Sequence, residues 1–224
     1  MFSVRTAIIA GLISAAPFAA SAATIGFDAL DASAGQPEPL MTFTEAGRTF
    51  SVSTTGNNDG AAIFDTTCFG YSGSCNGDPD LVPGVQGENG ILGNIIILQE
   101  NRTAPTPNDD ASGGTIRLTL TSGSAFRWLG ASAIDDGTFT FSTLADGVLG
   151  SLVLGSENQT GMTTFSSSAI GVGDWIELSY SGSGGIDSLQ IQAVPVPAAL
   201  PLALVGFGAL GALAARRRRS QDPR

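Results

Sequence analysis

Acidic side chains, with one neighbouring Asn, are the main candidates for chemistry in this 224-residue chain, because many of them stand in segments that predict loops or strand ends. These are Asp65, Asp78, Asp80, Glu100, Asn108, Asp109, Asp110, Asp135 and Asp136. Calcium takes six to eight oxygen ligands from carboxylates, amides and backbone carbonyls. We therefore expect one calcium site, with Asp78, Asp80, Glu100 and Asp110 as the leading ligands. The alternative is that all of them are solvated turn residues, since Asp and Asn favour turns.

Two residue types that serve much of enzyme chemistry, His and Lys, are absent from the chain. All ten of its basic residues are Arg. Without His there is no Ser-His-Asp triad, no Cys-His pair and no His-ligated metal site. Without Lys there is no Schiff base and no P-loop lysine. A glycosidase needs only two carboxylates, about 5–5.5 or 6.5–9.5 Å apart. A carboxylate-based hydrolase of surface glycans is therefore the alternative to our prediction of no enzymatic activity.

The charge distribution excludes a nucleic-acid partner, because a phosphate backbone requires a basic face. The net charge is −10 and the isoelectric point is about 4.2. Nineteen of the twenty acidic residues lie between residues 23 and 193, together with only four of the ten Arg. Such a surface is soluble, repels anionic polymers and tolerates divalent cations.

Aromatic residues offer a second kind of candidate site, a platform on which sugar rings stack. The candidates are Trp128, Trp175, Tyr71 and Tyr180. Trp175 falls opposite Ile176 in the alternation and is expected to face outward, whereas Trp128 is expected in the core. An outward Trp is also a common rim residue, so this pattern alone does not establish sugar binding.

The two cysteines, Cys68 and Cys75, lie close together in a Gly-rich segment. In an exported chain a local disulfide is the default, and two free thiols are the alternative. Closing so short a loop would stabilise the fold by roughly 2.5 kcal/mol in the chain-entropy model.

The hydrophobic periodicity is that of β-strands, with turn signals between them. Apolar and polar residues alternate at 50–52, 116–120, 139–141, 176–180 and 189–191, and 95–98 is a continuous apolar run typical of a strand covered on both faces. No segment between the termini predicts an amphipathic helix. About ten short strands predict an all-β protein with a single jelly-roll-like β-sandwich at residues 23–193. The connection from about 65 to 93 is unusually long.

The two ends predict export and a membrane anchor rather than parts of the fold. Residues 1–22 have the order of a signal peptide, with cleavage expected between Ala22 and Ala23. An uncharged run at 198–215 is just long enough for a transmembrane helix. It is followed by a membrane-stop cluster and a cytoplasmic tail at 220–224. The cluster comprises Arg216, Arg217, Arg218 and Arg219.

A proline-containing motif precedes this predicted helix, and the order motif, helix, Arg cluster over 194–219 resembles the PEP-CTERM class of sorting signals in its Val-Pro-Leu-Pro-Ala variant. The motif at 194–198 consists of Val194, Pro195, Val196, Pro197 and Ala198, with Val196 where the variant has Leu. The resemblance implies export, brief residence in the inner membrane, processing by an exosortase-type enzyme, and association with the cell envelope or an exopolysaccharide matrix.

These observations together predict an exported, non-catalytic cell-envelope or extracellular-matrix protein that binds polysaccharide with calcium assistance. Its partners would be signal peptidase and the export machinery, an exosortase, and exopolysaccharide. The alternatives are the glycan hydrolase named above and a purely structural surface protein without a ligand.

Overall fold

The computed structural model describes residues 21–32, 40–67, 78–82, 92–101 and 107–195. Within them, Ser21–Val194 form one compact unit. No helix in these ranges is long and apolar enough to cross a membrane. Residues 1–20, the predicted disulfide between Cys68 and Cys75, the rest of the sorting motif (Val196, Pro197 and Ala198), the predicted helix at 198–215 and the Arg cluster at 216–219 lie outside the described residues.

The described residues form twelve β-strands and one short 3₁₀ helix, Pro79–Leu81. The strands are β1 (Ala22–Ile25), β2 (Thr42–Glu45), β3 (Arg48–Thr55), β4 (Ala61–Asp65), β5 (Asn94–Leu98), β6 (Gly114–Ser122), β7 (Phe126–Ile134), β8 (Gly137–Thr143), β9 (Gly147–Leu154), β10 (Thr160–Thr164), β11 (Trp175–Ser181) and β12 (Gly185–Ala193).

The strands make two antiparallel sheets that pack face to face, which confirms the predicted β-sandwich. Sheet A has the order β10-β7-β12-β5-β4, and β1 pairs with the C-terminal half of β12. Sheet B has the order β2-β3-β6-β11-β8-β9. The strands on either side of β12 in sheet A, β7 and β5, run opposite to it, so their C-terminal ends and the N-terminal end of β12 meet at one edge.

The core lies between the sheets and follows from the period-two alternation of the strands. In β6, Ile116, Leu118 and Leu120 are fully buried, while Arg117 is exposed on the other face. Aromatic rings dominate the centre, where Trp128 meets Phe141 edge to face with ring centroids 5.6 Å apart. Such pairs add about 0.5–1.5 kcal/mol beyond the burial of their area.

A second apolar cluster covers the outer face of sheet A, so the prediction that residues 95–98 are covered on both faces is confirmed. Ile96 and Leu98 point into the main core, whereas Ile95 and Ile97 point outward. There the two outward side chains pack with buried residues of the long connection and its neighbours. These are Ala62, Phe64, Leu81, Leu92 and Ile134.

The first and last strands of the sandwich, β1 and β12, lie side by side. The Ala193 amide donates a hydrogen bond to the Ser21 carbonyl over 3.0 Å, and the Val194 amide donates to the Ala125 carbonyl over 3.1 Å. The two residues of the predicted signal cleavage site, Ala22 and Ala23, stand in β1 and pair with β12. The first residues of the sorting motif, Val194 and Pro195, therefore follow the last strand without a linker.

Candidate functional site

The candidate site is an acidic cluster at the edge of sheet A where β5, β7 and β12 end or begin. Asp109 forms an isolated bridge with Gln99, the residue after β5. Asp135 stands in the turn from β7 to β8, and Ser183 stands in the turn into β12. The 3₁₀ helix brings Asp78 and Asp80 to the same place from the long connection. Antiparallel pairing thus gathers residues that are far apart in the sequence.

Three of these carboxylates form a close group: Asp78, Asp80 and Asp109 each offer one oxygen, and the three oxygens lie within 4.8 Å of one another. The Asp109 amide donates to Asp78 Oδ2 over 2.9 Å. Asp109 Oδ2 accepts hydrogen bonds from the Ser183 hydroxyl, over 2.6 Å, and from the Gly184 amide. Backbone and hydroxyl donors therefore hold Asp109 in place without supplying a full positive charge.

Burial makes the cluster expensive to ionise. Asp109 is 5% exposed and Asp135 is fully buried. Burial, with the hydrogen bond and negative charge of Asp78, raises the pKa of Asp109 to about 8. Burial likewise raises the pKa of Asp78 and of Asp135, and the charges of neighbouring carboxylates add to both effects. Ionisation of all the carboxyl groups together is thus unfavourable without a bound cation.

Several buried oxygens in and around this cluster lack a hydrogen-bond donor among the described residues. They belong to Asp80 (Oδ1), Asp135 (Oδ2) and Gln99 (Oε1). Buried polar atoms are nearly always satisfied, so each exception requires an explanation. The described contacts of the cluster include no basic side chain, and the ion pair found in the described part of the chain, Arg117–Glu177, stands on sheet B. A metal cation would satisfy both the orphaned oxygens and the charge.

The structure brings together two of the four leading predicted ligands. Asp78 and Asp80 belong to the close group, and Asp109 completes it in place of Glu100 and Asp110. Glu100 is exposed, and its side chain accepts a hydrogen bond from Asn108 Nδ2 over 2.7 Å. Asp110 Oδ1 accepts the Ser112 amide over 2.8 Å. Adjacent residues in an extended segment point to opposite sides, which separates Asp110 from Asp109.

The outer face of sheet B is a second candidate surface, and it is rich in hydroxyl groups. Cross-strand rows run Ser53, Arg117, Glu177, Ser142, and Thr55, Thr115, Ser179, Thr140, Ser151. Trp175 stands in a neighbouring row opposite Thr119. It is half-buried, and the Arg117 guanidinium lies over its ring at 4.5 Å from the centroid. Arg117 is itself held by Glu177 over 2.7 Å.

Two of the other predicted aromatic candidates, Trp128 and Tyr180, do not line this surface. Trp128 is fully buried, as expected, and its Nε1 donates to the Gly130 carbonyl over 2.9 Å. Tyr180 is buried in the core, where its hydroxyl oxygen accepts the Leu98 amide over 2.6 Å. Tyr71 lies outside the described residues. Trp175 is therefore the one aromatic candidate among the described residues that faces outward, as predicted.

No family model and no curated protein matches this chain. Among solved structures, it is similar to the C-terminal CBM6 of LamC, a marine laminarinase from Zobellia galactanivorans, with 20% identity over 44% of this chain and 79% of that one and a TM-score of 0.28. It is also similar to a family 6 carbohydrate-binding module, with 18% identity over 59% and 94% and a TM-score of 0.29. A Bacillus thuringiensis Cry1Da tryptic core matches at 14% identity over 66% and 24%, with a TM-score of 0.29. Likenesses this weak carry no argument about function.

Proposed function

We propose that this chain is an exported, non-catalytic β-sandwich that binds polysaccharide and holds calcium in the cluster of Asp78, Asp80, Asp109 and Asp135. The observation that carries the proposal is a buried group of carboxylates with orphaned oxygens and no basic partner in the described residues. Repulsion between buried carboxylates lowers the stability of the folded state, and a bound cation removes that repulsion.

The donor set favours calcium among biological cations. All candidate ligands are carboxylate oxygens, supported by a hydroxyl and by backbone groups nearby, and hard oxygen donors suit calcium and magnesium. The chain has no His at all, which removes the usual nitrogen ligand of zinc. Ligands contributed by separate loops give the irregular, high-coordination geometry that calcium accepts and magnesium disfavours. Bound calcium would tie the long connection to the turns at this edge of sheet A.

The strand order supports a jelly roll as the architecture that carries this site. Omitting β1 to β4, the strands run β5-β12-β7-β10 in one sheet and β6-β11-β8-β9 in the other. This is the interleaved arrangement of two four-stranded sheets that a double Greek key produces. The extra strands β2 and β3 widen sheet B and enlarge its outer face.

The outer face of sheet B supports polysaccharide binding. Sugars are recognised by hydroxyl and carboxylate partners together with an aromatic ring against their apolar face. Sheet B presents Ser and Thr side chains in register on five strands, with Trp175 among them and the Arg117–Glu177 pair beside it. An open sheet face that spans five strands suits an extended polymer more than a small molecule.

Export and sorting complete the proposal and rest on the sequence of the two ends. A signal peptide at 1–22 would direct the chain across the inner membrane, and the PEP-CTERM-like segment at 194–219 would pass it to an exosortase for release to the cell envelope or matrix. N-terminal sequencing of the mature protein is expected to begin at Ala23. A mature protein that retains Met1 would contradict this part.

The polysaccharide role is tested by affinity electrophoresis of the mature protein in gels that contain neutral, acidic or amino-sugar polysaccharides, with calcium and with EDTA. Retardation by at least one polymer is expected, and Trp175→Ala should weaken it at least tenfold. Trp175→Phe, which keeps an aromatic ring, should retain most of the binding. Turnover of the polymer would favour the hydrolase, and the absence of retardation in every gel would favour the purely structural protein.

A further inference from the structure

A separate acidic pocket lies beside the outer face of sheet A, reaches Glu45 at the end of β2 in sheet B, and shares no residue with the calcium candidate. Its volume is about 330 Å³, at the lower end of small-molecule sites, which span roughly 300–1,000 Å³. Three carboxylates and three hydroxyls line it: Asp28, Glu45, Asp187, Thr24, Ser132 and Ser188. No basic side chain occurs among the described lining residues.

Asp187 is the buried acid of this pocket. It is 2% exposed, and it follows Ile186, which points into the main core, so its own side chain points to the outer face. Its Oδ2 accepts the Ser188 hydroxyl over 2.7 Å, whereas Oδ1 has no donor among the described residues. A β-bulge after Asp187, where Ser188 adopts a φ of 51°, produces this arrangement. A bulge that leaves a buried carboxylate oxygen without a donor in the lining of a pocket indicates a ligand rather than packing.

The other two carboxylates are held by backbone donors and are therefore already oriented. Glu45 accepts the amides of Gly26 over 2.9 Å and Phe27 over 3.1 Å. Asp28 Oδ1 accepts the Asn94 amide over 2.9 Å. These bonds come from neutral groups, so the negative charge of the pocket is left uncompensated. Burial raises the pKa of Asp187 to about 7, and the charges of Asp28 and Glu45 add to the effect.

The pocket is wider than a bare metal ion requires. Calcium needs its oxygens at about 2.3–2.6 Å from one centre. Among the described residues, the close three-carboxylate group is the one formed by Asp78, Asp80 and Asp109, and the pocket acids do not form another. A polar cavity of this size, with excess negative charge and several hydroxyls, suits an organic cation that itself carries hydroxyl groups.

We propose that this pocket binds the ammonium group of an amino sugar, so that the polysaccharide recognised by the chain contains unacetylated amino-sugar units. This inference rests on the proposed polysaccharide function and adds the class of polymer. The ammonium would sit between Asp187 and Asp28, and the hydroxyls of Thr24, Ser132 and Ser188 would bond the ring hydroxyls. Charge-assisted N–H···O bonds of about 2.7–2.9 Å are the strong kind.

Gly26 marks where the ammonium would sit. A methyl group placed on its Cα would lie 3.6 Å from Asp28 Oδ2 and 3.8 Å from Asp187 Oδ1, both ordinary van der Waals distances. Gly26→Ala is therefore compatible with the fold, and it fills the space between the two acids without changing any charge. This variant separates a built site from the general attraction of an acidic protein for a polycation.

The test is titration calorimetry of the mature protein with glucosamine oligomers and with the corresponding N-acetylated oligomers, at about 0.15 M salt to screen distant charges. The unacetylated oligomer is expected to bind at least tenfold more tightly. Gly26→Ala should remove at least tenfold of that affinity at an unchanged melting temperature. Asp187→Asn should remove as much while melting no lower than the wild type, because it also removes a charge that burial disfavours. Glu157→Gln, which removes an exposed charge elsewhere, should leave the affinity unchanged.

Equal binding of the two oligomers, or full affinity in Gly26→Ala, would overturn the inference. If polymers without amino groups bind through Trp175 while the glucosamine oligomer does not bind, the proposed function stands and the pocket assignment falls. If no polysaccharide and no oligomer binds, both fall together. Loss of affinity in Asp187→Asn and Glu157→Gln alike would indicate non-specific attraction and would also overturn the inference.

Discussion

Calcium should raise the thermal stability of the sandwich, and Asp109→Asn should abolish the effect. Asp109 is the natural residue to change because it links the cluster: its amide donates to Asp78, and its carboxylate accepts from Ser183 and Gly184. Asn keeps an oxygen that can accept both bonds, so the local fold is preserved. It removes one charge and one metal ligand.

The size of the effect follows from mass action. Free calcium at one hundred times its dissociation constant stabilises the native state by about 2.7 kcal/mol. In a domain of this size each kcal/mol shifts the melting temperature by about 2–4 °C, so the expected rise is roughly 5–11 °C. In EDTA, Asp109→Asn should melt no lower than the wild type, because it relieves repulsion from Asp78 and Asp135.

The assay is a thermal melt of the mature protein followed by circular dichroism, in calcium and in excess EDTA. The matched control is Asp136→Asn, which removes an exposed carboxylate next to Asp135 and should keep the full calcium response. Identical wild-type melts in calcium and EDTA would refute the metal site. A full calcium response in Asp109→Asn would refute the assignment of Asp109 as a ligand.

Two further expectations follow from the core and the acidic pocket. Trp128→Ala should lower the free energy of unfolding, measured in urea, by about 3–5 kcal/mol because the ring is fully buried. Trp175→Ala on the outer face should lower it by less than about 1 kcal/mol. Equal losses would contradict the assigned faces. The raised pKa of Asp187, about 7 against 3.8, means that the native state holds this proton more tightly than the unfolded chain. The contribution of Asp187 to stability in EDTA should therefore fall as the pH rises from about 4 to about 7 and level off above that. Asp187→Asn should reduce the slope of stability against pH in this window, and an unchanged slope would contradict the burial of its charge.

Local patterns placed six of the twelve described strands, because each pattern depends on neighbours within a few residues. The alternation in β3, β6, β8, β11 and β12 survives in the structure with the expected inward faces. The weaker strands were not predicted. In β7 a run of small residues after Leu129 blurs the period, and in β1 the alanines also satisfy a signal cleavage pattern. Their strand character comes from pairing with β12.

The sites were less accessible from the sequence than the strands. Asp78 and Asp80 stood out because they share a short segment, but Asp109 was not separable from Asp110 next to it. Only the bridge between Asp109 and Gln99 decides which of the two faces the cluster. The pocket acid Asp187 had no distinguishing signal, because a β-bulge cannot be read from one sequence.

The sequence by itself determined composition, charge, strand periodicity and the order of export and sorting signals, because each is a property of residue types at short spacing. Tertiary structure alone decided which carboxylates meet. Asp78, Asp109, Asp135 and Ser183 come together because antiparallel β5, β7 and β12 share an edge. Burial at that edge, rather than residue type, raises the pKa of Asp109 to about 8, so that full ionisation of the cluster is unfavourable unless a cation is bound.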